Sequence, residues 1–364
     1  MTTHKGRVVV AMSGGVDSSL TAALLLQQGY DVIGVTMQIW QNDMPADEGD
    51  NRGCCSLSAV GDARRVADKL GIPFYVMNFR DLFKETVIDY FCAEYAGGRT
   101  PNPCIACNRY VKFSALLQKT FGLGAQYLAT GHYARIGYDE GYRCYVIRKG
   151  VDAKKDQTYA LYNLTQKELP HVLMPLGDYT KVQTREMARE LGLAVAEKPD
   201  SQEICFVPGN EYGAYLQTKI PAAFKPGNFV TTGGKVLGRH KGLPFYTVGQ
   251  RKGLGITFGK PMYVVALEPM RNEVVLGDDA EVVGTSLMAG DVNFIPFAGI
   301  SAPLRVTAKI RYSAKEAPAT VYPEGPDRVR VVFAQPQRAI TPGQSVVFYD
   351  GDLLVGGGII EHQI

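Results

Sequence analysis

The chain has 364 residues and is longer than a domain with a single hydrophobic core usually is. Two or three domains of about 100–200 residues each are therefore expected. With 46% hydrophobic and 21% charged residues it is not a disordered chain. No apolar run reaches the roughly 18–20 residues that cross a bilayer, so we expect no membrane partner. The sequence does not open with the apolar region of a signal peptide, which favours a cytoplasmic protein. A net charge of +3 is too small to indicate a nucleic-acid partner by itself.

Short β-branched runs alternate with helical patterns through the first half of the chain, as in a parallel α/β sheet. Val8–Met12 has the character of a buried strand, and the helix that follows from about Asp17 to Gln28 ends at Gly29. We therefore expect an α/β fold with a Rossmann-like parallel sheet. Further strands are predicted over 32–37, 72–77, 127–130 and 145–148, and helices near 58–70, 82–95, 165–173 and 181–191.

The composition changes near Pro208, where glycine and proline begin to recur among short β runs. The runs at 227–230 and 231–234 predict a small β-rich domain. Later β runs, over 303–310, 328–333 and 345–349, predict an all-β barrel or sandwich. The expected domains are 1–207, 208–272 and 273–364.

Basic residues are concentrated in two segments. Residues 99–155 carry ten Lys or Arg against three acids, and residues 235–260 carry six against none. Such an excess suits a polyanion, because basic side chains release its bound counterions. Solvated lysine faces give the same composition, so the charge pattern leaves both interpretations open.

A glycine-rich string, Ser13-Gly14-Gly15-Val16-Asp17-Ser18, connects the first strand to the first helix. Backbone N–H groups and the positive end of the helix therefore face a single anion. The glycines let the backbone approach phosphate closely, Ser13 and Ser18 add hydroxyl donors, and Asp17 either orients Mg²⁺ or caps the helix. The lysine of a Walker loop is absent. The string resembles instead the PP-loop of N-type ATP pyrophosphatases, which implies cleavage of ATP to AMP and pyrophosphate.

Seven cysteines at irregular spacing indicate catalysis, metal binding or burial rather than a disulfide framework. Cys107 follows a proline-stiffened loop, at the predicted N-terminus of a helix that begins near Arg109. That position, with Lys112 also close in sequence, favours a reactive thiolate. Cys205 lies much later, in a turn-rich segment. Sulfur delivery to an activated carbonyl needs one thiol to carry sulfur as a persulfide and a second to release it by forming a disulfide.

The other cysteines and one histidine carry weaker signals. Cys92 on an apolar helix and Cys144 in a strand are predicted to be core residues. Cys54 and Cys55 follow an acidic, glycine-rich stretch that is predicted to be a loop. His132 is predicted either to contact nucleotide or to make a structural hydrogen bond.

An ordered set of short strings runs through the whole chain. They are Ala-Met-Ser-Gly-Gly-Val-Asp-Ser (11–18), Arg-Thr-Pro-Asn-Pro (99–103) with Cys107-Asn108, Ala-Thr-Gly-His-Tyr (129–133), Lys-Asp-Gln (155–157), Glu-Ile-Cys-Phe (203–206), Gly-Gln-Arg-Lys-Gly-Leu-Gly (249–255), Arg-Tyr (311–312) and Thr-Pro-Gly-Gln-Ser (341–345). In this order the strings resemble the tRNA-specific 2-thiouridylases of the MnmA type over essentially the full length. The resemblance implies a PP-loop domain, a small β-rich central domain and a C-terminal β-barrel that contacts tRNA.

The same resemblance implies the reaction. The 2-oxygen of the wobble uridine at tRNA position 34 is adenylated by ATP, and pyrophosphate leaves through the PP-loop. Cys205 carries a persulfide received from a sulfur-donor carrier protein, and its terminal sulfur attacks C2. Cys107 is the nucleophile that resolves the persulfide and leaves a Cys107–Cys205 disulfide. The products are 2-thiouridine, AMP and pyrophosphate.

Binding residues also follow from the resemblance. The implied ATP contacts are Ala11, Met12, Ser13, Gly14, Gly15, Val16, Asp17, Ser18, Met37 and Gly131, with Mg²⁺ as the accompanying ion. The implied tRNA contacts are Asn102, Pro103 and Cys104 at the target base, and Lys155, Asp156, Gln157, Arg311 and Tyr312 elsewhere.

One departure from the family pattern keeps alternatives open. Cys104 stands where the best-known members have an aspartate, so this chain has three thiols, Cys104, Cys107 and Cys205, that suffice for three corners of a [4Fe–4S] cluster. The persulfide route needs only two of them. The rival readings of the function are a PP-loop amidating synthetase and a non-catalytic tRNA-binding protein.

Overall fold

The computed structural model describes residues 5–40, 57–200, 204–207, 209, 211–256 and 259–364. These residues form two compact units. The first holds the described parts of 1–87, 104–210 and 352–354, and the second holds those of 88–103, 211–351 and 355–364. Within these ranges, no helix combines the length and the apolar character that a membrane span requires. The domain boundaries expected at 207/208 and 272/273 stay predictions.

A parallel sheet forms the centre of the first unit. The strands of this unit are β1 (Arg7–Ala11), β2 (Asp31–Gln38), β3 (Phe74–Asn78), β4 (Tyr127–Ala129), β5 (Ala134–Asp139), β6 (Cys144–Lys149) and β7 (Val172–Leu173). The order across the sheet is β3-β2-β1-β4-β7, with neighbouring strands parallel. Val8, Val9 and Val10 are completely buried, because both faces of such a sheet are covered. β5 and β6 form the predicted antiparallel hairpin.

Most of the helices lie in the first unit, where they connect the strands of the sheet. In chain order, the helices of the described chain are α1 (Val16–Gln27), α2 (Leu57–Leu70), α3 (Arg80–Phe83), α4 (Tyr90–Ala96), α5 (Pro103–Ala106), α6 (Leu117–Gly122), α7 (Lys181–Glu190) and α8 (Tyr212–Lys219). Of these, α4 and α8 belong to the second unit. Wider π-helical turns occupy Lys84–Asp89 and Cys107–Leu116. One hydrophobic core joins Val8 of β1 to Leu25 of α1, Val66 of α2 and Ala188 of α7. The predicted helices over 17–28, 58–70 and 181–191 are thus confirmed, and the residue after the first of them, Gly29, has a positive φ of 87°.

Two helix predictions are wrong. The stretch predicted as helix over 165–173 forms a 3₁₀ turn, Leu169–His171, followed by β7, which pairs with β4. Pro170 lacks the N–H that a longer helix requires there. The helix predicted to begin near Arg109 begins instead at Pro103, because a proline suits the first position of a helix.

The second unit contains a small sheet and a barrel. The small sheet consists of β8 (Gly227–Thr231), β9 (Val236–His240), β10 (Tyr263–Glu268) and β11 (Glu273–Gly277), in the order β10-β11-β8-β9. Phe229, Val264 and Val274 are completely buried in its core. The predicted run at 227–230 is confirmed, whereas only the first residue of the run at 231–234 belongs to a strand.

The barrel decides between the two all-β architectures that the sequence left open. Its strands are β12 (Val283–Phe294), β13 (Leu304–Lys309), β14 (Ala317–Pro323), β15 (Val329–Arg338), β16 (Ser345–Asp350) and β17 (Leu353–Gln363). The order β12-β15-β14-β13-β16-β17 closes on itself, because β12 also pairs with β17. Closure removes the exposed edges of the sheet, so the architecture is a barrel and not a sandwich.

Candidate active site

The glycine-rich string lies at the carboxyl end of β1 and leads into α1. Hydroxyl groups stabilise its backbone internally. The Ser18 Oγ accepts a hydrogen bond of 3.1 Å from the Ser13 N–H and donates one of 3.3 Å to the Gly15 carbonyl. The Thr36 Oγ1 on β2 donates to the Met12 carbonyl at 2.6 Å. No side chain in the described part of the chain caps the first turn of α1, so its N–H groups face the loop.

Gly14 is the glycine of the loop that the structure requires. Its φ is +68°, and a Cβ placed on it would lie 2.1 Å from the Ala59 carbonyl oxygen of α2. Gly15 has an extended backbone, and the nearest atom to an added Cβ is the Ser13 Oγ at 3.6 Å. Val16 is buried at the start of α1. The close packing of the loop on α2 therefore depends on Gly14.

A cavity opens beside the loop, at the carboxyl edge of β1 and β2. Gly131 also borders it, and a Cβ on that residue would lie 2.9 Å from the Ser18 nitrogen. The cavity therefore joins most of the residues implied as ATP contacts. The residues that line it are Ala11, Met12, Ser13, Asp17, Ser18, Val35, Met37, Lys112, Thr130, Gly131, His132 and Gln157.

Lys112 is the basic side chain among these lining residues. It projects from the π-helical turns that begin at Cys107, and its Nζ donates to the Asn108 Oδ1 at 2.9 Å. Asn108 is buried and in turn donates to the Ala160 carbonyl at 2.9 Å. The residue next to Cys107 thus fixes the ammonium group that faces the cavity.

His132 is held by a structural hydrogen bond, and it also lines the cavity. Its Nδ1 lies 2.7 Å from the Thr130 Oγ1. Burial, together with the positive charge of Lys112, holds the pKa of His132 well below its ordinary value. The imidazole is therefore neutral at physiological pH.

Asp17 is the acidic side chain among the lining residues, and it is held from two sides. The Lys181 Nζ of α7 lies 2.7 and 2.8 Å from its two carboxylate oxygens. The Tyr133 hydroxyl donates to its Oδ1 at 2.8 Å. Burial and the Asp17 charge raise the pKa of Tyr133, so this donor keeps its proton.

The cysteines implied in sulfur transfer lie in two different settings. Cys107 is half-buried and lies one turn inside the helix that begins at Pro103, not at its N-terminus as predicted. Cys104 is exposed in the first turn of that helix. Cys205 is half-buried in a turn closed by the Val207 N–H and the Ile204 carbonyl at 3.0 Å.

The neighbouring Phe206 is buried and packs edge-on against Phe83, with ring centroids 5.7 Å apart. In the described ranges, no three His, Cys, Asp or Glu side chains converge as ligands of one metal ion. The cluster considered for Cys104, Cys107 and Cys205 stays a prediction. Cys92 is buried as predicted, Cys144 is half-buried in β6, and Cys54 and Cys55 lie outside the described residues.

The three residues of the string at 155–157 have different partners, and the last of them, Gln157, lines the cavity. The Lys155 Nζ lies 2.7 Å from the Asp200 Oδ2. Asp156 accepts from the Gly150 N–H at 3.2 Å and from the Thr158 hydroxyl at 2.7 Å. Gln157 accepts from the Tyr133 N–H at 3.0 Å and lines the cavity.

In the second unit, two of the sequence strings bind each other. The Thr100 N–H donates to the Pro342 carbonyl at 2.8 Å, and the Gln344 Nε2 donates to the Thr100 carbonyl at 2.8 Å. Gly343 has a φ of +89°, and a Cβ on it would lie 2.8 Å from the Thr100 nitrogen. The barrel therefore fixes the loop that ends in Asn102 and Pro103.

Arg311 and Tyr312 follow β13 of the barrel. The Arg311 guanidinium donates to the carbonyl of Ala339, the residue that follows β15. The Tyr312 ring is 47% exposed, and the Lys309 Nζ lies 5.8 Å from its centroid. Tyr312 thus presents an aromatic face beside a positive charge.

Comparison with known families covers nearly the entire chain. Residues 6–209 match the family model described as the tRNA methyl transferase HUP domain, 213–278 match the tRNA methyl transferase PRC-barrel domain, and 284–360 match the Aminomethyltransferase beta-barrel domain. A relative from Acetivibrio thermocellus named tRNA-specific 2-thiouridylase MnmA is 60% identical over 98% of this chain and 99% of its own length. The chain belongs to this 2-thiouridylase family.

Relatives of the same name support the assignment. The one from Carboxydothermus hydrogenoformans is 59% identical over 98% of both chains. The one from Clostridioides difficile is 58% identical over 98% of this chain and 99% of its own length. Recognition of the family from the ordered strings is therefore confirmed.

The cavity of this family member also contains residues that the strings did not assign. Lys112 was noted only for its nearness to Cys107, and Val35 and Thr130 were not singled out. Lys181 contacts Asp17 but does not stand out in the sequence, because a lysine at the start of a helix is common. The capping box of Thr180 and Gln183 fixes the start of α7 and is a local sequence signal that Lys181 is the first residue of that helix.

Proposed function

We propose that the protein is an ATP-dependent tRNA 2-thiouridylase that converts the wobble uridine to 2-thiouridine. One observation carries the proposal. A single cavity is lined both by the phosphate loop and by Lys112, which belongs to the helix of Cys107. The position where ATP is cleaved is thereby connected to the position of a nucleophilic thiol.

The loop and the cavity serve the first half-reaction. The N–H groups of the first turn of α1 and the hydroxyls of Ser13 and Ser18 bind the departing pyrophosphate. Met37 and Gly131 border the remainder of the nucleotide. Asp17 would hold Mg²⁺ together with phosphate oxygens, since Mg²⁺ binds through one or two carboxylates plus substrate phosphates and neutralises charge on the leaving group.

The two cysteines serve the second half-reaction. The terminal sulfur of a Cys205 persulfide attacks C2 of the adenylated uridine, a C–S bond forms, and AMP leaves. The Cys107 thiolate then attacks the Cys205 sulfur, which forms a Cys107–Cys205 disulfide and frees 2-thiouridine. An external thiol reduces the disulfide, and a sulfur-donor carrier protein reloads Cys205. Cys104 has no part in this sequence, and no step requires a cluster.

The tRNA contacts lie in both units. Tyr312 offers a stacking face next to Lys309, which is the usual means of binding an unpaired base beside its phosphate. Asn102, Pro103 and Cys104 face the target base. Lys155, Asp156 and Gln157 act close to the loop, where Lys155 and Gln157 also support the nucleotide site.

A release assay distinguishes this function from its rivals. We expect pyrophosphate release to depend on unmodified tRNA and to be unaffected by ammonia. Release without tRNA but with ammonia would indicate an amidating synthetase, and tRNA binding without release would indicate a pure binding protein. The family description "tRNA methyl transferase" names another group transfer, which has no need of ATP cleavage, so methylation of the tRNA in place of thiolation would also contradict the proposal.

A further inference from the structure

The Cys205 segment, meaning the described residues 198–200 and 204–207, is connected to the phosphate loop at two points, Lys198 and Asp200. The Lys198 Nζ donates to the Gly14 carbonyl at 3.0 Å and lies 2.6 Å from the Asp62 Oδ2 of α2. Two residues later, the Asp200 Oδ1 lies 2.8 Å from the Lys181 Nζ. Asp200 stands five residues before Cys205.

Lys181 binds the loop and the segment at the same time. Its Nζ contacts both oxygens of Asp17 and one oxygen of Asp200, all within 2.8 Å. The residue is only 8% exposed, so water does not replace these contacts easily. One ammonium group thus separates two carboxylates that would otherwise repel each other.

Asp200 is the ionised end of this arrangement. Burial raises the pKa of its carboxyl group, but hydrogen bonds from Lys155 and Lys181 outweigh burial and lower that pKa to about 2. The Arg185 guanidinium adds a further contact at 3.0 Å. A fixed negative charge therefore marks the segment on the side that faces the loop.

Cys205 has a second anchor on its other side. Phe206 is 3% exposed and packs on Phe83, which is fully buried. The described residues on the two sides of the thiol are thus held by the Asp200 contacts before it and by the Phe206 contact after it.

We propose that Lys181 and Asp200 are positioning residues that hold the Cys205 segment close to the phosphate loop. Each adenylation of the uridine is then followed by sulfur transfer to the same uridine. This proposal rests on the proposed function. Neither residue takes part in bond making. Their effect is to keep the persulfide within reach of the activated uridine before water consumes that intermediate.

The coupling between the two half-reactions tests the proposal. In the native protein, one pyrophosphate is released for each 2-thiouridine formed. In Lys181→Met, we expect pyrophosphate per 2-thiouridine to rise about fivefold or more, a value at the low end of coupling between two sites. Lys181→Arg, which can contact both carboxylates, restores the ratio. A structural defect alone would lower both products together and leave the ratio unchanged, which would overturn the proposal.

Arg189→Met is the matched control. Arg189 lies on the same helix and pairs with Glu197 at 2.6 Å, but both side chains are exposed and neither contacts the loop. In Arg189→Met, the ratio of pyrophosphate to 2-thiouridine should equal that of the native protein. Asp200→Asn tests the other end of the contact with little change in shape, and a native ratio in a folded Asp200→Asn protein would also contradict the proposal.

A second measurement does not require thiolation. Alkylation of Cys205 by a maleimide, followed by peptide mass spectrometry, reports how firmly the segment is held. We expect inorganic pyrophosphate to slow this alkylation in the native protein but not in Lys181→Met. If pyrophosphate slows alkylation equally in both proteins, or in neither, the proposed role of Lys181 is refuted. If the native protein forms no 2-thiouridine, the proposed function fails. The alkylation measurement still tests whether Lys181 holds the Cys205 segment.

Discussion

The phosphate loop and the Cys205 segment differ in the contacts that hold them. The loop combines hydrogen bonds among neighbouring residues, Ser13, Gly15 and Ser18, with contacts to distant elements, α2 and α7. The Cys205 segment is stabilised by Lys155 and Lys181, which are distant in sequence. In the proposed function, we therefore expect ATP cleavage to depend on the loop, and sulfur delivery to depend on the contacts that Lys155 and Lys181 make with Asp200. A change in the loop should abolish both half-reactions. A change in Lys181 or Asp200 should lower 2-thiouridine formation more than pyrophosphate release.

The largest effect is expected at Gly14. Gly14→Ala would place a Cβ against the Ala59 carbonyl at a positive φ, where strain alone costs about 1–3 kcal/mol. We expect loss of ATP–pyrophosphate exchange together with loss of thiolation. Gly61→Ala on α2 is the control, because no atom lies within 4 Å of its Cβ, and it should retain most of the exchange. Equal ATP–pyrophosphate exchange in the two variants would contradict the requirement for glycine at position 14.

Lys112→Met should have the next largest effect. It removes the ammonium group that lines the cavity, and a hydrogen bond to a charged group contributes about 1.5–3 kcal/mol. We expect the KM for ATP to rise about tenfold or more. Lys119→Met changes a lysine that lies over the Phe79 ring, and it should leave the KM unchanged. An unchanged KM in Lys112→Met would remove Lys112 from the nucleotide site.

Tyr312→Ala should weaken tRNA binding and leave ATP binding intact. Stacking of a base on an aromatic ring contributes about 1–3 kcal/mol. Titration of labelled tRNA measures the loss, with Tyr322→Ala as a control on the neighbouring strand, where Arg330 lies 4.5 Å from the ring centroid. Equal losses in the two variants would show that Tyr312 has no special contact.

The smallest effect concerns acid stability. The pKa of Asp200 is about 2 in the folded protein, below the ordinary value of about 3.9. Its ion pairs therefore stabilise the fold above about pH 4 and are lost as the pH falls toward about 2. In Asp200→Asn, the thermal midpoint should fall less steeply over that interval. Glu190→Gln, an exposed carboxylate at the end of α7, should keep the native slope.

The sequence predicted what depends on local patterns. The phosphate loop, the alternation around β1 and β2 and the β-rich second half follow from glycine placement and hydrophobic periodicity, and the structure confirms them. The helix near 165–173 was wrong because pairing of Val172 and Leu173 with β4 outweighs local preference. No local pattern could reveal that Lys181 reaches Asp17, since the contact depends on how α7 packs on the sheet.

The ordered strings carried a different kind of information. Thr100 and Pro342 belong to strings far apart in sequence, and the structure shows them hydrogen-bonded to each other. The contact between these two strings is a finding of the structure, and neither periodicity nor the order of the strings predicted it. The roles of Cys107 and Cys205 came from the family resemblance, and they stay predictions.

The most direct test is mass spectrometry of tRNA nucleosides after incubation with ATP, Mg²⁺ and a persulfide source. The native protein should convert wobble uridine to 2-thiouridine. Cys205→Ser should form none while it retains ATP–pyrophosphate exchange. Thiolation by Cys205→Ser at the native rate, or an unmodified nucleoside from the native protein, would contradict the account.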